Sequence, residues 1–156
     1  MVGDARRSIE TLGDESFDLV VGDAFGGLAV PWHLTTEEFI GEIQRVLRPG
    51  GMYVMNLIDY PPLGFVRAEA ATAGRLFDNV AIIATPTTLA GKGGGNVVLV
   101  ASAEPLDVAA VIARIGTWGP ASDTGILADP AEVDAFIGDA PILTDDYAPV
   151  DQLLGR

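Results

Sequence analysis

Four short runs of apolar residues, rich in valine and isoleucine, alternate with stretches of helical periodicity, and this alternation constrains the fold more than any other feature. The runs predict strands at residues 17–23, 52–58, 80–84 and 96–102. Helical patterns lie between the first three runs, whereas the turn Gly93-Gly94-Gly95 leads into the last one. Strands joined through helices run parallel, and a hairpin pair runs antiparallel. The sequence therefore predicts an α/β fold with a mostly parallel sheet and an antiparallel last strand pair.

The segments between the strands carry the signals of helix starts and ends. Thr35 or Thr36 can cap a helix with an acidic first turn, and the Arg-Pro-Gly-Gly sequence at 48–51 ends that helix. Further helices are predicted at residues 65–77, 106–115 and 130–137, followed by a loose polar tail from residue 141. In the first strand the apolar residues are consecutive, which is typical of a strand covered on both faces.

Composition sets the size and the class of the protein. The chain has 156 residues, 49% of them hydrophobic, so we expect one globular domain over residues 1–156. A formal net charge of −13 disfavours nucleic acid and membrane surfaces as partners, because both are anionic. The chain has no cysteine and no apolar run long enough to span a bilayer, so we expect a cytoplasmic protein without disulfides.

Aspartates stand near the carboxyl ends of predicted strands, where α/β sheets bind their ligands. Asp23 and Asp59 follow apolar runs, and Asp4 lies near the N-terminus. A carboxylate in such a position either caps nearby backbone amides or meets a ligand, and the sequence leaves both roles open. The pair Asp145-Asp146 could bind a cation or could be an ordinary exposed acidic pair.

Other familiar sites find no support in the sequence. His33 is the only histidine, so no histidine pair exists for zinc and we expect no metal site. No serine lies in the Gly-x-Ser-x-Gly context of a hydrolase nucleophile. The glycine-rich segment 91–96 precedes a strand instead of a helix and lacks the Gly-Lys-Ser/Thr ending. It is therefore interpreted as a hairpin turn and not as a phosphate-binding loop.

Five segments form an ordered set of motifs along the chain. They are residues 3–6 (Gly-Asp-Ala-Arg), 17–25 (Phe-Asp-Leu-Val-Val-Gly-Asp-Ala-Phe), 30–39, 47–51 (Leu-Arg-Pro-Gly-Gly) and 143–150 (Leu-Thr-Asp-Asp-Tyr-Ala-Pro-Val). The set resembles the spermidine synthase (polyamine aminopropyltransferase) family, particularly its bacterial spermidine synthase-like members. The Arg-Pro-Gly-Gly turn alone is common to many S-adenosylmethionine-dependent methyltransferases, but the ordered set is more specific and covers essentially the whole chain.

The resemblance implies a Rossmann-like sheet of the methyltransferase type that binds decarboxylated S-adenosylmethionine or S-adenosylmethionine, without a metal. It implies that Asp4 and Ala5 lie near the adenine and that Asp23 is the catalytic carboxylate at the mouth of the site. We assign Asp59 and Asp146 to binding of the acceptor. The implied reaction is aminopropyl transfer, in which the amine of a diamine such as putrescine attacks the methylene carbon beside the sulfonium and methylthioadenosine leaves. Carboxylates suit this step because they hold a cationic diamine and accept its proton.

The chain departs from the family pattern at two points. The family has a second catalytic aspartate three residues after the position of Asp23, where this sequence has Gly26. The sequence also begins where the third strand of the family ends, so we expect an N-terminally truncated sheet without the glycine-rich cofactor loop. Two alternatives therefore stay open, namely methyl transfer from S-adenosylmethionine and a non-catalytic interaction domain. Because the first strand would lack a neighbour, we also expect a homodimer across its edge.

Overall fold

A five-stranded sheet forms the centre of the molecule in the computed structural model, which describes residues 3–27, 30–120 and 123–155. The strands are β1 (Phe17–Gly22), β2 (Leu47–Asp59), β3 (Asn79–Ala84), β4 (Gly95–Ser102) and β5 (Gly125–Leu127). The helices are α1 (Ala5–Ile9), α2 (Glu37–Val46), α3 (Gly64–Ala73), α4 (Pro86–Leu89), α5 (Val108–Ile115), α6 (Pro130–Ile137) and α7 (Val150–Leu153), and a 3-10 helix spans Trp32–Leu34. Among the described residues, no helix combines the length and the apolar character needed to cross a membrane.

The predicted α/β class is confirmed, and so is the antiparallel pairing of the last two predicted strands, β3 and β4; the position of β4 between β2 and β3 is not part of the prediction. The order across the sheet is β1-β2-β4-β3-β5. β1 and β2 are parallel, whereas the pairs β2–β4, β3–β4 and β3–β5 are antiparallel. β1, β2 and β3 therefore run in one direction, and β4 inserts between β2 and β3 in the opposite one. This insertion separates two parallel strands, so the hydrogen bonding of the sheet is mostly antiparallel.

Helices α2 and α3 pack against β2 on one face of the sheet. α2 begins at Thr36, whose hydroxyl accepts a hydrogen bond from the Phe39 N–H at 3.3 Å. The helix buries its apolar stripe, and β2 buries every second side chain, among them Tyr53 and Met55. The predicted cap is confirmed. The helix ends at Val46, two residues before the Arg-Pro-Gly-Gly segment, which lies in the first part of β2 and not in the last turn of the helix.

The other face of β1 is open to solvent, which corrects the prediction that this strand is covered on both faces. Leu19 and Val21 are 52% and 61% exposed. They lie in register with Met52 and Val54 of β2 and share their face of the sheet. β1 is the outermost strand, and α1 packs against α2 and the 3-10 helix, so Leu19 and Val21 stay accessible.

The C-terminal segment is packed, which corrects the prediction of a loose polar tail. Leu143 is fully buried, its N–H donates to Thr72 Oγ1 at 2.9 Å, and its carbonyl accepts from the Glu37 N–H at 2.8 Å. Val150 is also buried, and α7 packs against α3. The sequence does not predict α4, α7 or β5, because elements of three or four residues show too little periodicity.

Candidate functional site

An apolar cavity of about 300 Å³ opens at the carboxyl end of β1, the end at which α/β sheets bind ligands. Its lining comes from β1, β2, α2 and the segments beside them and includes Ala5, Val20, Asp23, Val30 and Tyr53. The structure thus brings together Ala5 and Asp23, which the sequence assigns to the cofactor and to catalysis. Asp23 is the one charged side chain among the described lining residues.

The Asp23 carboxylate is held by a chain of two amides that crosses the sheet. Asn56 of β2 donates from Nδ2 to Asp23 Oδ1 at 2.9 Å. Asn96 of β4 donates from Nδ2 to Asn56 Oδ1 at 3.0 Å. Because the carbonyl of Asn56 is used by Asn96, its amino group faces Asp23. Asp23 itself is exposed, so its charge is accessible from solvent at the carboxyl end of β1.

Asp4 lies at the start of α1, next to the cavity-lining Ala5, and caps that helix. Its Oδ1 accepts a hydrogen bond from the Arg7 N–H at 3.0 Å, and its Oδ2 lies 3.7 Å from His33 Nε2. The hydrogen bond from Arg7 lowers the pKa of the Asp4 carboxyl, and the nearby His33 lowers it further. Asp4 is therefore ionised at neutral pH beside the cavity.

A second depression, a groove of about 550 Å³, lies beside the first cavity. Its lining includes Gly26, Trp32, Asp146, Tyr147 and Asp151. Two carboxylates and two aromatic rings thus face one groove, and no basic side chain is among the described residues that line it. Within the described residues the Asp146 carboxylate makes no hydrogen bond or ion pair, so the groove is a candidate site for a cation.

The groove and the cavity adjoin, because Val30 lines both of them. Asp23 thus belongs to the lining of the cavity and Asp146 to the lining of the adjoining groove. Residues 28 and 29 of the loop 23–32 lie outside the described residues. The arrangement places a carboxylate-bearing apolar cavity next to an acidic, aromatic groove.

Asp59 is not brought to either depression, and the geometry does not support its assignment to the acceptor. Its side chain is fully buried and accepts hydrogen bonds from four backbone N–H groups. The donors are Tyr60 at 2.8 Å, Gly155 at 2.9 Å, Phe65 at 3.0 Å and Val66 at 3.1 Å. These contacts use both carboxylate oxygens to fix the start of α3 and the C-terminal segment, which is the capping role that the sequence left open.

Five residues of the site are missed by the sequence analysis. Asn56 and Asn96 are polar positions inside apolar strands, which is a signal that the sequence offers; in the structure Asn56 is half-buried and Asn96 is exposed. Trp32 and Tyr147 are 51% and 57% exposed, and Asp151 lies in a segment that the sequence treats as tail. Nothing local distinguishes them from ordinary surface residues. In the described part of the chain, no group of three or more His, Cys, Asp or Glu side chains is placed to hold a metal ion.

Two proteins to which the chain is similar are of one kind. No protein-family model matches the chain. A polyamine aminopropyltransferase from Vibrio vulnificus (strain CMCP6) is 39% identical over 56 residues, which are 35% of this chain and 19% of that protein. The crystal structure of a probable spermidine synthase from Corynebacterium glutamicum ATCC 13032 is similar with a TM-score of 0.82 and 31% sequence identity. That match covers 96% of this chain and 55% of the solved chain.

The solved relative confirms the arrangement of the fold over nearly the whole chain, although this chain spans only about half of the relative's length. The curated relative supports the same family from sequence alone. Both findings support the family that the ordered motifs of the sequence resemble. The chain is therefore similar to the spermidine synthase family in both its sequence and its fold.

Proposed function

We propose that this chain carries the acceptor side of a polyamine aminopropyltransferase-type site. In this proposal the groove of Trp32, Asp146, Tyr147 and Asp151 binds a diamine such as putrescine. The adjoining cavity takes the apolar part of decarboxylated S-adenosylmethionine. The observation that carries the proposal is the shared wall at Val30, which sets an acidic, aromatic groove beside a cavity that contains Asp23.

The chemistry of the groove matches a diammonium ligand. An ammonium group is attracted to carboxylates and to the faces of aromatic rings, and the groove offers both types of partner. A phosphate or a carboxylate would meet two negative charges and, among the described lining residues, no positive one. The exposed position of Trp32 and Tyr147 leaves their rings available to such a ligand.

In the proposed reaction a carbon–nitrogen bond forms as the carbon–sulfur bond of the sulfonium breaks, methylthioadenosine leaves, and the amine loses a proton. We assign Asp23 as the carboxylate nearest to this chemistry, oriented by Asn56. The position of the family's second aspartate is Gly26, which lines the groove and offers no carboxylate. The acceptor is therefore held by Asp146 and Asp151, and Asp23 alone is left to take the proton.

Putrescine is expected to bind in the groove, and Asp146→Asn is expected to weaken its binding about fivefold, since an exposed ion pair contributes up to about 1 kcal/mol. Trp32 is one of two tryptophans in the chain, so in a Trp118→Phe background its fluorescence reports the groove alone. Butylamine, with one ammonium group, is expected to bind more weakly than putrescine.

The matched control for this experiment is Asp18→Asn. This substitution removes the same charge at the other end of β1, where Asp18 pairs with Arg48 at 2.7 Å. It should leave the affinity for putrescine unchanged at fixed salt. Equal losses of affinity in Asp18→Asn and Asp146→Asn would show a general charge effect and contradict the groove as the site.

S-adenosyl compounds are expected to bind this chain weakly, with dissociation constants above about 100 μM. The cavity of about 300 Å³ is small for a nucleoside ligand and offers one charged side chain, so few hydrogen bonds are available to the ribose and the side chain of the ligand. For the same reason, and because Gly26 replaces a carboxylate, we expect no measurable aminopropyl transfer to putrescine. Calorimetry with methylthioadenosine, decarboxylated S-adenosylmethionine and S-adenosylmethionine measures the dissociation constants. Tight micromolar binding would contradict the expected weak binding.

Methyl transfer from S-adenosylmethionine is the second candidate function, and Gly26 favours it because methyl transfer does not require the missing aspartate. The two candidates differ in the sulfonium compound that they prefer. A preference for S-adenosylmethionine over its decarboxylated form in the calorimetry would support the methyltransferase. A cytoplasmic location, expected from the sequence, stays a prediction.

We also infer that two copies of the chain associate through β1. The strand is outermost in the sheet, and its Leu19 and Val21 side chains are exposed. An open strand edge beside exposed apolar side chains favours pairing with another strand. The one acidic side chain within β1, Asp18, is neutralised by Arg48, so this surface avoids the repulsion that the net charge of −13 causes elsewhere.

A further inference from the structure

One ion pair joins the N-terminal and C-terminal segments of the chain. The Arg6 guanidinium in α1 donates to both oxygens of the Asp145 carboxylate, with 2.7 Å between Nη1 and Oδ1. This two-bond geometry is the strongest form of an arginine–carboxylate contact. The Arg6 side chain is only 22% exposed, and 139 positions of sequence separate the two residues.

Further hydrogen bonds hold this ion pair in place. Arg6 Nη1 also donates to the His33 carbonyl at 3.0 Å. The Thr36 hydroxyl donates to Asp145 Oδ1 at 2.7 Å, and the Asp145 N–H donates to Glu38 Oε2 at 3.0 Å. The hydrogen bond from Arg6 lowers the pKa of the Asp145 carboxyl, so the pair is fully charged at neutral pH.

The ion pair lies between the two parts of the candidate site. On one side Arg6 follows Ala5, which lines the cavity. On the other side Asp145 precedes Asp146 and Tyr147, which line the groove. The Thr144 and Tyr147 backbones bond to each other at 2.9 and 3.0 Å, so a tight turn carries Asp145 and Asp146. Besides Arg6, Thr36 and Glu38 make the side-chain hydrogen bonds that tie the described turn to the body of the protein.

We propose that the Arg6–Asp145 ion pair is a positioning clasp that fixes the turn 144–147 and thereby sets the place of Asp146 and Tyr147 in the groove. The effect of the clasp on ligand binding rests on the proposed function, whereas its effect on the turn does not. The clasp also separates the roles of two adjacent acids. The charge of Asp145 is neutralised by Arg6, whereas the charge of Asp146 stays available to a cation.

The clasp is tested by substitution of Arg6 with two readouts. Arg6→Gln is expected to speed hydrogen exchange at the Thr144, Asp145 and Tyr147 amides about tenfold, because the turn opens more often without its charged partner. It is expected to weaken putrescine binding by a similar factor. Arg6→Lys keeps the charge but not the fork, so it should restore part of both effects. Arg48→Gln, which breaks the pair with Asp18, should change neither.

The two readouts separate the clasp from the proposed function. If the unaltered chain does not bind putrescine, the proposed function is wrong, and the exchange rates still decide whether Arg6 fixes the turn. Unchanged exchange at the turn in Arg6→Gln overturns the clasp. Exchange that rises equally over the whole chain, with no recovery in Arg6→Lys, also overturns it, because it shows global destabilisation.

Discussion

Replacing Glu69 by methionine is expected to stabilise the protein by about 2 kcal/mol at pH 7, which is in the range measured for removing a buried polar group without a partner. Glu69 lies on α3, is fully buried, and has no hydrogen-bond partner for either carboxylate oxygen among the described residues. Methionine fills a similar volume without a polar atom that must be solvated. Chemical denaturation of the two proteins measures the difference.

The effect of Glu69→Met is expected to depend on pH in one direction. Burial raises the pKa of the Glu69 carboxyl well above its usual range, so the folded protein keeps the proton after the unfolded chain has lost it. The folded state therefore loses stability as the pH rises above about 4.3, the usual pKa of a glutamate, and up to the raised pKa of the folded state. Methionine does not titrate. The stability gained from the substitution should thus be smallest near pH 4 and should grow toward pH 8.

The matched control is Glu10→Gln, which removes an exposed carboxyl. It should change the stability by less than about 0.5 kcal/mol, as most surface substitutions do. Tyr53 is a second group that Glu69 affects, because burial and the nearby Glu69 carboxyl both raise the pKa of the Tyr53 phenol. A Glu69→Met protein that is less stable than the unaltered chain at pH 7, or a difference that does not vary with pH, would contradict the expectation.

The main strands and helix α2 can be predicted from the sequence because their signals are local. Residues 52–58 and 96–102 lie inside β2 and β4, and the cap at Thr36 lies where the sequence places it. The insertion of β4 between β2 and β3 was not open to prediction, since strand order depends on which sheet edges are free when the hairpin forms. The packing of Leu143 depends on Thr72 and Glu37, more than 70 positions away, and so has no local signal either.

The site can be predicted only in part, because its geometry also depends on contacts that are distant in the sequence. Asp23 and Asp59 look alike in the sequence, since each follows an apolar strand. The structure leaves Asp23 exposed at a cavity and turns the chain after Asp59 so that four N–H groups point at its carboxylate. The difference arises from the paths of the following loops. The same holds for Asp145 and Asp146, neighbours of which one is paired with Arg6 and the other faces the groove.

The proposed dimer has a simple geometry that the exposed side chains of β1 support. Two copies of β1 in antiparallel contact about a two-fold axis beside Val20 place Leu19 of one copy opposite Val21 of the other. Both side chains lie on the open face of the sheet, so the contact buries apolar surface from each copy. Asp18 then lies opposite Gly22, and no acidic side chain of β1 faces another. The sheet would continue through the two-fold axis.

Val21→Lys is therefore expected to raise the dissociation constant of the dimer at least a hundredfold, because it places two lysines, one per copy, in an apolar contact. Light scattering and sedimentation at micromolar concentration should give twice the monomer mass for the unaltered chain and the monomer mass for the variant. Both Val20 and Val21 line the cavity, but Val21 is preferred because it is 61% exposed, whereas Val20 is partly buried and packs against the core. Trp118→Lys, at a side chain that is 78% exposed outside β1, is the control and should leave the dimer intact. An unaltered chain that stays monomeric at these concentrations, or a Val21→Lys protein that keeps the dimer mass, excludes β1 as the interface.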